Sequence, residues 1–135
     1  MKKVVLDSDV FINFLKGKSG DFKILLNETR EDNLIVFIPA IVLVEIFVGY
    51  EFLDNKRLKE AKKFLEGFDR ISLTQEIAHQ SAKIGRENKL AFLGTADLVI
   101  AATAISFNAE LATHNVKHFK KVPKLKLFDF QIQDN

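Results

Sequence analysis

Three acidic residues occupy positions in this chain where a carboxylate is out of place. Asp7 ends the apolar run VVL, Glu45 interrupts the run IVLVEIFV, and Asp97 opens the run DLVIAA. A carboxylate removed from water is energetically expensive unless it is paired, hydrogen-bonded, protonated or bound to a metal ion. Because the three acids come from separate parts of the sequence, we expect them to form one acidic pocket that holds a divalent cation.

Hard cations such as Mg²⁺ and Mn²⁺ suit such a pocket, because they prefer carboxylate, carbonyl and water oxygens. Two such ions ~4 Å apart can activate a water molecule and stabilise the leaving oxygen when a phosphodiester is hydrolysed. The sequence has no cysteine and 3 histidines. This composition excludes thiolate metal sites and favours metal-assisted phosphoryl chemistry over a zinc or serine-hydrolase mechanism.

Each acid also has a simpler interpretation. Asp7 could cap the helix that follows it, and Asp97 could lie in the first turn of a helix that begins at Thr95. Glu45 could pair with Arg86 or a lysine, or lie at an exposed edge. These interpretations account for each residue separately, but they do not explain why the three should meet.

The elements that must position these acids alternate between strands and helices. Short apolar runs predict strands at Lys3–Leu6, Leu34–Ile38, Ile71–Leu73, Glu110–Thr113 and Lys126–Phe128. Periodicity and cap residues predict helices over about 8–17, Asp21–Arg30, Pro39 to about Phe52, 55–68, from Thr74 onward, and Thr95 to about Phe107. The third helix contains Glu45 and could also be a strand on β-propensity. The helix after Thr74 is expected to pack through the small residues Ala78, Ala82 and Gly85.

This alternation predicts an α/β fold, a three-layer α/β/α sandwich, in a single domain over residues 1–135. Right-handed crossovers restrict the order of a parallel sheet of about five strands, for which we expect 3-2-1-4-5. Ligands bind such sheets where the strand order reverses, at the carboxyl ends of strands one and four. Asp7 ends strand one, and strand four ends at Thr113, His114 and Asn115. The topology and the acids therefore predict one crevice.

Composition limits the location and the partners. The apolar runs are shorter than the about 18 residues that a membrane span needs, and the absence of cysteine fits a cytoplasmic protein. A net charge of +2 is too small to indicate nucleic-acid binding by itself. Positive charge that could hold a phosphate backbone beside the pocket comes from five crowded lysines: Lys117, Lys120, Lys121, Lys124 and Lys126.

Four segments carry a resemblance to a known family. The segment VVLDSDVFI (residues 4–12) resembles the first motif of PIN-domain nucleases, especially the VapC-type toxin ribonucleases of bacteria and archaea. The segments PAIVLVEIFVG (39–49), DLVIAATA (97–104) and LATHNVKHF (111–119) resemble the second, third and fourth motifs. Their order and spacing extend the resemblance over essentially the whole chain, so a PIN-like fold is expected.

The resemblance implies a Mg²⁺- or Mn²⁺-dependent endoribonuclease, the toxin of a toxin–antitoxin pair, which hydrolyses RNA phosphodiester bonds with a metal-activated water. It implies metal ligation by Asp7, Glu45 and Asp97, with the Thr113 hydroxyl beside the metal. Asn115 stands where the family often has aspartate. Its amide can still orient a metal-bound water as part of the site, but it adds no negative charge, which weakens the case for a second tightly held cation. The implied partners are a second copy of the chain, as a homodimer, and a small antitoxin protein.

Three further residues near the motifs are expected to have no catalytic role. Asp9 is expected at a turn or helix start rather than in the pocket. His114 and His118 are expected on the surface of a basic loop, because a metal-activated water needs no histidine base.

Two other functions stay open from the sequence. The segment DSDV also resembles the aspartyl-nucleophile motif of haloacid-dehalogenase-like phosphatases, in which Asp7 would be phosphorylated and Asp9 would act as acid and base. That interpretation leaves Glu45 unexplained. The non-enzyme alternative is a PIN-like module that binds nucleic acid or a partner without cutting, and Asn115 is the residue that prompts it.

Overall fold

The sheet has the predicted order. The computed structural model describes residues 1–131, in which five parallel strands lie in the order β3-β2-β1-β4-β5. The strands are β1 (Lys2–Leu6), β2 (Leu34–Pro39), β3 (Asp69–Ile71), β4 (Glu110–Ala112) and β5 (Lys126–Leu127). The order reverses between β1 and β4, so the carboxyl ends of these two strands open the crevice that the sequence predicts.

Helices flank the sheet and connect its strands. They are α1 (Ser8–Leu15), α2 (Asp21–Arg30), α3 (Ala40–Phe47), α4 (Asn55–Leu65), α5 (Gln75–Glu87), α6 (Thr95–Ser106) and α7 (Val116–Phe119). Short 3₁₀ turns follow α3 at Tyr50–Leu53 and precede α6 at Ala91–Leu93. None of the helices within residues 1–131 is both long and apolar enough to cross a membrane.

Several element boundaries differ from the sequence predictions, and two of them have a clear physical reason. The third helix was expected to reach about Phe52, but α3 ends at Phe47 and the chain turns through Gly49, a poor helix former, before the 3₁₀ turn. The third strand was expected at Ile71–Leu73, but it spans Asp69–Ile71. The apolar residues of this segment led to a prediction that lies too far along the chain. The first residues of the strand are polar and exposed, and they pair with the end of β2 through the backbone.

Right-handed crossovers place α1, α2 and α4 on one face of the sheet. Their shared contact is a cluster of phenylalanine rings with centroids 4.8–6.5 Å apart. This aromatic cluster consists of Phe11, Phe14, Phe22, Phe64 and Phe68. It anchors α1, whose first turn follows Asp7, against the rest of the domain.

On the other face, α5 and α6 pack closely at a glycine. A Cβ atom on Gly85 would lie 3.0 Å from the Leu98 side chain, so the absence of a side chain lets α6 approach α5. The predicted inner face of α5 was wrong in part: Ala78 and Ala82 are exposed, and the buried positions are Ile77, Ser81, Ile84 and Gly85. Small size had suggested close packing, but the helical phase buries Ile77 and Ile84 beside Ser81 and Gly85.

The aromatic cluster provides a test of the fold. Phe22 is fully buried and its ring lies 4.8 Å from that of Phe11, so Phe22→Ala is expected to lower the free energy of unfolding by about 3–5 kcal/mol. Phe64 belongs to the same cluster but is 40% exposed, and Phe64→Ala should cost less than half as much. Urea denaturation followed by circular dichroism measures both values. Equal losses would contradict the packing described.

Candidate active site

The ends of β1 and β4 are joined at the switch point. Asp7 follows β1, and its backbone N–H donates to the carbonyl of Ala112, the last residue of β4, at 2.9 Å. Thr113 comes next, and its hydroxyl donates to Asp7 Oδ2 at 2.7 Å. Both side chains are buried, with 5% and 3% exposure. Residues 106 positions apart in sequence are thereby fixed against each other.

Asp7 also caps α1, as one of the simpler interpretations predicted. Its Oδ1 atom accepts a hydrogen bond of 2.8 Å from the backbone N–H of Ser8. One carboxylate oxygen therefore satisfies the helix start while the other accepts from Thr113. Asp7 therefore caps α1 and lies in the acidic pocket at the same time.

Asp9 lies in the first turn of α1, as predicted, and its carboxylate also faces the end of β4. Its two oxygens lie 3.1 and 3.2 Å from the backbone N–H of His114, and its Oδ2 lies 3.4 Å from the Thr113 hydroxyl. The helix α1 begins at Ser8, as predicted, and its second residue is directed toward the end of β4. Sequence alone gives no signal for this direction.

Glu45 projects from α3 toward the same acids and has a buried oxygen without a partner. Within residues 1–131, Glu45 Oε1 is shielded from solvent and makes no hydrogen bond, so the predicted alternative of a pair with Arg86 was wrong. Burial raises the pKa of the Glu45 carboxyl, a hydrogen bond from the Ser8 side chain lowers it, and the charges of Asp97 and Asp9 raise it again. These charge effects place Glu45 near acids from both α1 and α6.

Asp97 lies in the first turn of α6, where the helix dipole favours a negative charge. The cap differs from the prediction: Thr95 is the first helical residue, and the N-cap is Gly94, whose φ of +86° suits a residue without a side chain. Asp97 Oδ2 is 3.0 Å from Nε2 of His118. This contact joins the third motif to the fourth.

Burial and neighbouring charge act together on Asp7. The pKa of the Asp7 carboxyl is raised from 3.8 to about 7, chiefly by burial and then by the charge of Asp9. Hydrogen bonds from the Thr113 hydroxyl and the Ser8 backbone lower it, and the charge of Glu45 adds a smaller increase. The hydrogen-bond donors around Asp7 therefore do not offset the free-energy cost of its burial and of the neighbouring negative charges.

The two histidines are not free surface residues as predicted, because both are half-buried and hydrogen-bonded. Nε2 of His114 is 2.8 Å from Asp21 Oδ2 and its Nδ1 is 2.7 Å from the amide nitrogen of Asn13. With both ring nitrogens engaged, His114 has none left to act as a base. It instead ties the end of β4 to α1 and α2, a role that sequence analysis missed.

Asn115 is the predicted site residue that the structure places apart. It is exposed, and within residues 1–131 its side chain makes no hydrogen bond to the acids. Its backbone N–H donates to the Thr113 hydroxyl at 3.0 Å, which leaves that hydroxyl's single hydrogen for Asp7. From the fourth motif, Thr113 and His118 reach the acids directly.

The four acids lie near one another, but their side chains do not converge on a single point. No three acidic or histidine side chains among residues 1–131 lie close enough to form a ready-made metal cage, and Asp97 is turned toward His118. The donor set nevertheless fits a hard cation, because it consists of carboxylate and hydroxyl oxygens with one buried oxygen left unpaired.

Comparison with known proteins agrees with the motifs and the topology. A family model described as the PIN domain matches residues 4–125. Ribonuclease VapC from Rickettsia bellii is 31% identical over an alignment that covers 97% of this chain and 98% of that protein. This match leaves the haloacid-dehalogenase interpretation without support.

Solved structures give the same result. VapBC2 from Rickettsia felis, bound to a DNA fragment from its promoter, has a chain that is 25% identical with a TM-score of 0.77, over 93% of this chain and 97% of that one. A chain of the DNA-bound VapBC from Salmonella typhimurium has a TM-score of 0.78 at 24% identity, over 96% and 99% of the two chains, and shows the shared fold. The chain therefore belongs to the PIN-domain family and is a relative of the VapC ribonucleases.

Proposed function

We propose that this protein is a Mg²⁺- or Mn²⁺-dependent endoribonuclease and the toxin of a toxin–antitoxin pair. The observation that carries the proposal is the buried, unpaired Oε1 atom of Glu45 beside three other carboxylates. A buried carboxylate oxygen without a hydrogen bond is energetically costly, and a bound cation would remove that cost. The names of the relatives, which are VapC ribonucleases, support RNA as the substrate.

Asp7, Glu45 and Asp97 are the residues that would hold the cation. When bound, a hard divalent cation supplies charge neutralisation and a more acidic water for attack on the phosphodiester. Asp97 would exchange its hydrogen bond to His118 for this role. Thr113 orients Asp7 by donating to Oδ2, which leaves the carboxylate oxygens in a fixed plane.

The other residues of the site position groups rather than exchange protons. Asp9 is held by the backbone N–H of His114 and adds negative charge that attracts a cation. His114 serves as a brace between β4 and two helices. Exposed lysines after the fourth motif are suited to hold the phosphates of the substrate: Lys117, Lys120, Lys121, Lys124 and Lys126.

Partners follow from the neighbours and from exposed apolar surface. The neighbouring structures are described as VapBC, which supports an antitoxin partner for this chain. Val44, Val48 and Leu53 at the end of α3 and in the following turn are 65–82% exposed, which supports a protein-covered surface and a homodimer. We further propose a single domain over residues 1–135 and a cytoplasmic location, where an RNA substrate is available.

Removal of the Asp7 charge tests the ribonuclease proposal. Purified protein without antitoxin should cleave RNA in Mg²⁺ or Mn²⁺, and Asp7→Asn should lower the rate by about 100-fold or more, because a lost metal contact costs several kcal/mol. The matched control is Asp54→Asn at the N-cap of α4, where asparagine caps equally well and activity should be retained. Gel analysis of cleaved RNA measures both rates. Cleavage that persists in chelator would refute metal dependence, and RNA binding without cleavage would favour the non-cutting module.

Asp7 also predicts how stability depends on pH. Its pKa is about 7 in the folded protein and 3.8 ordinarily, so the folded state binds the proton more tightly. The stability that this group contributes is fully present below about pH 4 and is lost as pH rises to about 7, by about 4 kcal/mol in total.

Denaturation in chelator measures this dependence as the difference between the wild type and Asp7→Asn. The wild type should lose stability relative to the variant from pH 5 to pH 8. Added Mg²⁺ or Mn²⁺ should raise the melting temperature of the wild type by several degrees at pH 8 and leave Asp7→Asn nearly unchanged. A constant difference between the two proteins across this range would contradict the buried charge.

The proposed homodimer can be tested by measuring the mass of the protein in solution. Light scattering after gel filtration should give about twice the chain mass of 15.4 kDa. Val48→Asp should shift the protein toward the monomer, because a carboxylate would be desolvated in the interface. Leu73→Asp, at an exposed residue outside this surface, is the control that should stay dimeric. A monomeric wild type would exclude the homodimer at that concentration.

A further inference from the structure

An exposed phenylalanine lies next to the acidic site. Phe92 is 59% exposed and belongs to the 3₁₀ turn Ala91–Leu93, which directly precedes α6. Its neighbour Leu93 is buried and fixes the turn against the core. Asp97 follows five residues later, in the first turn of α6. The turn therefore presents an aromatic ring at the end of the helix that carries a site carboxylate.

Two side chains hold this ring in place and give it a chemical context. The Phe92 ring meets the His118 ring edge-on, at 6.2 Å between centroids and 86° between planes. The Nζ atom of Lys121 lies 5.3 Å from the centre of the Phe92 ring. His118 is also the residue whose Nε2 contacts Asp97 at 3.0 Å. Cation, ring, imidazole and carboxylate thus form one continuous surface.

An aromatic face with an adjacent ammonium group matches the chemistry of a nucleotide. A base stacks on the ring and the neighbouring phosphate accepts from the lysine, which is how proteins bind single strands. Bases inside a duplex are already stacked on each other and cannot offer a face to a side chain. The exposed lysines around Lys121 extend the positive charge along the path that a phosphate backbone would follow.

We propose that Phe92 stacks on an unpaired base of the RNA substrate, directly beside the acidic site, and that Lys121 contacts a phosphate next to that base. This inference rests on the proposed ribonuclease function for its substrate. It goes further by assigning to two residues of this chain the contacts with one unpaired base and its neighbouring phosphate.

Binding measurements isolate the stacking from the cleavage. All variants carry Asp7→Asn so that the RNA stays intact, and fluorescence anisotropy measures binding of a labelled single-stranded RNA in Mg²⁺. Phe92→Ala should weaken binding about 5- to 100-fold, and Phe92→Trp should restore it, because base–aromatic stacking requires a ring. Phe92→Leu, which keeps apolar bulk without the ring, should behave as Phe92→Ala.

The matched control is a phenylalanine at the opposite end of the same helix. Phe107 follows α6, about 15 Å along the helix axis from Asp97, and is 36% exposed. Phe107→Ala should bind RNA as the parent does. Circular dichroism spectra confirm that each variant is folded, and since Phe92 is largely exposed its substitutions should leave the melting temperature nearly unchanged.

The nucleotide provides the second half of the test. A series of RNAs, each with one abasic position, should contain one position whose loss weakens the parent as much as Phe92→Ala does. With that RNA the Phe92→Ala substitution should have no further effect, which is the signature of a direct contact. Lys121→Ala should weaken binding to all RNA sequences, and the slope of log affinity against log salt concentration should decrease by about one. Lys121→Arg should restore both the affinity and the slope.

The outcomes separate this inference from the proposed function. If the wild type cleaves RNA and Phe92→Ala binds RNA as tightly as the parent, the stacking contact is refuted and the ribonuclease stands. If the wild type cleaves no RNA in either metal but the Phe92 series behaves as described, the ribonuclease fails and the base contact stands. Equal affinity for duplex and single-stranded RNA, or loss of binding in Phe92→Ala only for a partner protein, would also refute the inference.

Discussion

The crowding of four carboxylates at one end of the sheet is the constraint on which the rest of this site depends. Asp7, Asp9 and Glu45 raise each other's energy, and the contacts that Asp7 and Asp9 make within residues 1–131 come from neutral donors such as Thr113 and backbone N–H groups. Two helix starts add favourable dipoles of about 0.3–1 kcal/mol each. These contributions are smaller than the cost of burial, as the raised pKa of Asp7 indicates. The fold therefore concentrates negative charge at this end of the sheet, which the proposed cation would balance.

Holding repelling groups together requires a rigid frame, and the two histidines provide much of it. His114 connects the end of β4 to Asn13 in α1 and Asp21 in α2, while His118 connects α7 to Asp97 in α6. Each of these hydrogen bonds joins elements whose relative positions are not determined by the strand pairing of the sheet. The histidines of an acidic nuclease site can thus be explained as structural ties, without a role in proton transfer.

The sequence predicted the elements that depend on local pattern and failed where side-chain direction decides. Apolar runs and right-handed crossovers were enough for the strand order. Asp7, Glu45 and Asp97 were singled out because acids in apolar runs are conspicuous, and their roles as metal ligands stay predictions. The contacts of Asp9 with the backbone of His114 were not predicted, because they join positions 105 residues apart. The contact between Asn13 and His114 joins positions 101 residues apart, and no local pattern encodes it.

His118 lies at the boundary between the acidic site and the surface that we propose for RNA. Its hydrogen bond to Asp97 measures 3.0 Å, and a cation held by Asp97, as proposed, would compete with His118 for that carboxylate. The His118 imidazole meets the Phe92 ring edge-on, so the proposed metal site and the proposed stacking platform share this side chain. On these two proposals, metal loading and RNA binding would be thermodynamically coupled, because each would alter the environment of the same histidine.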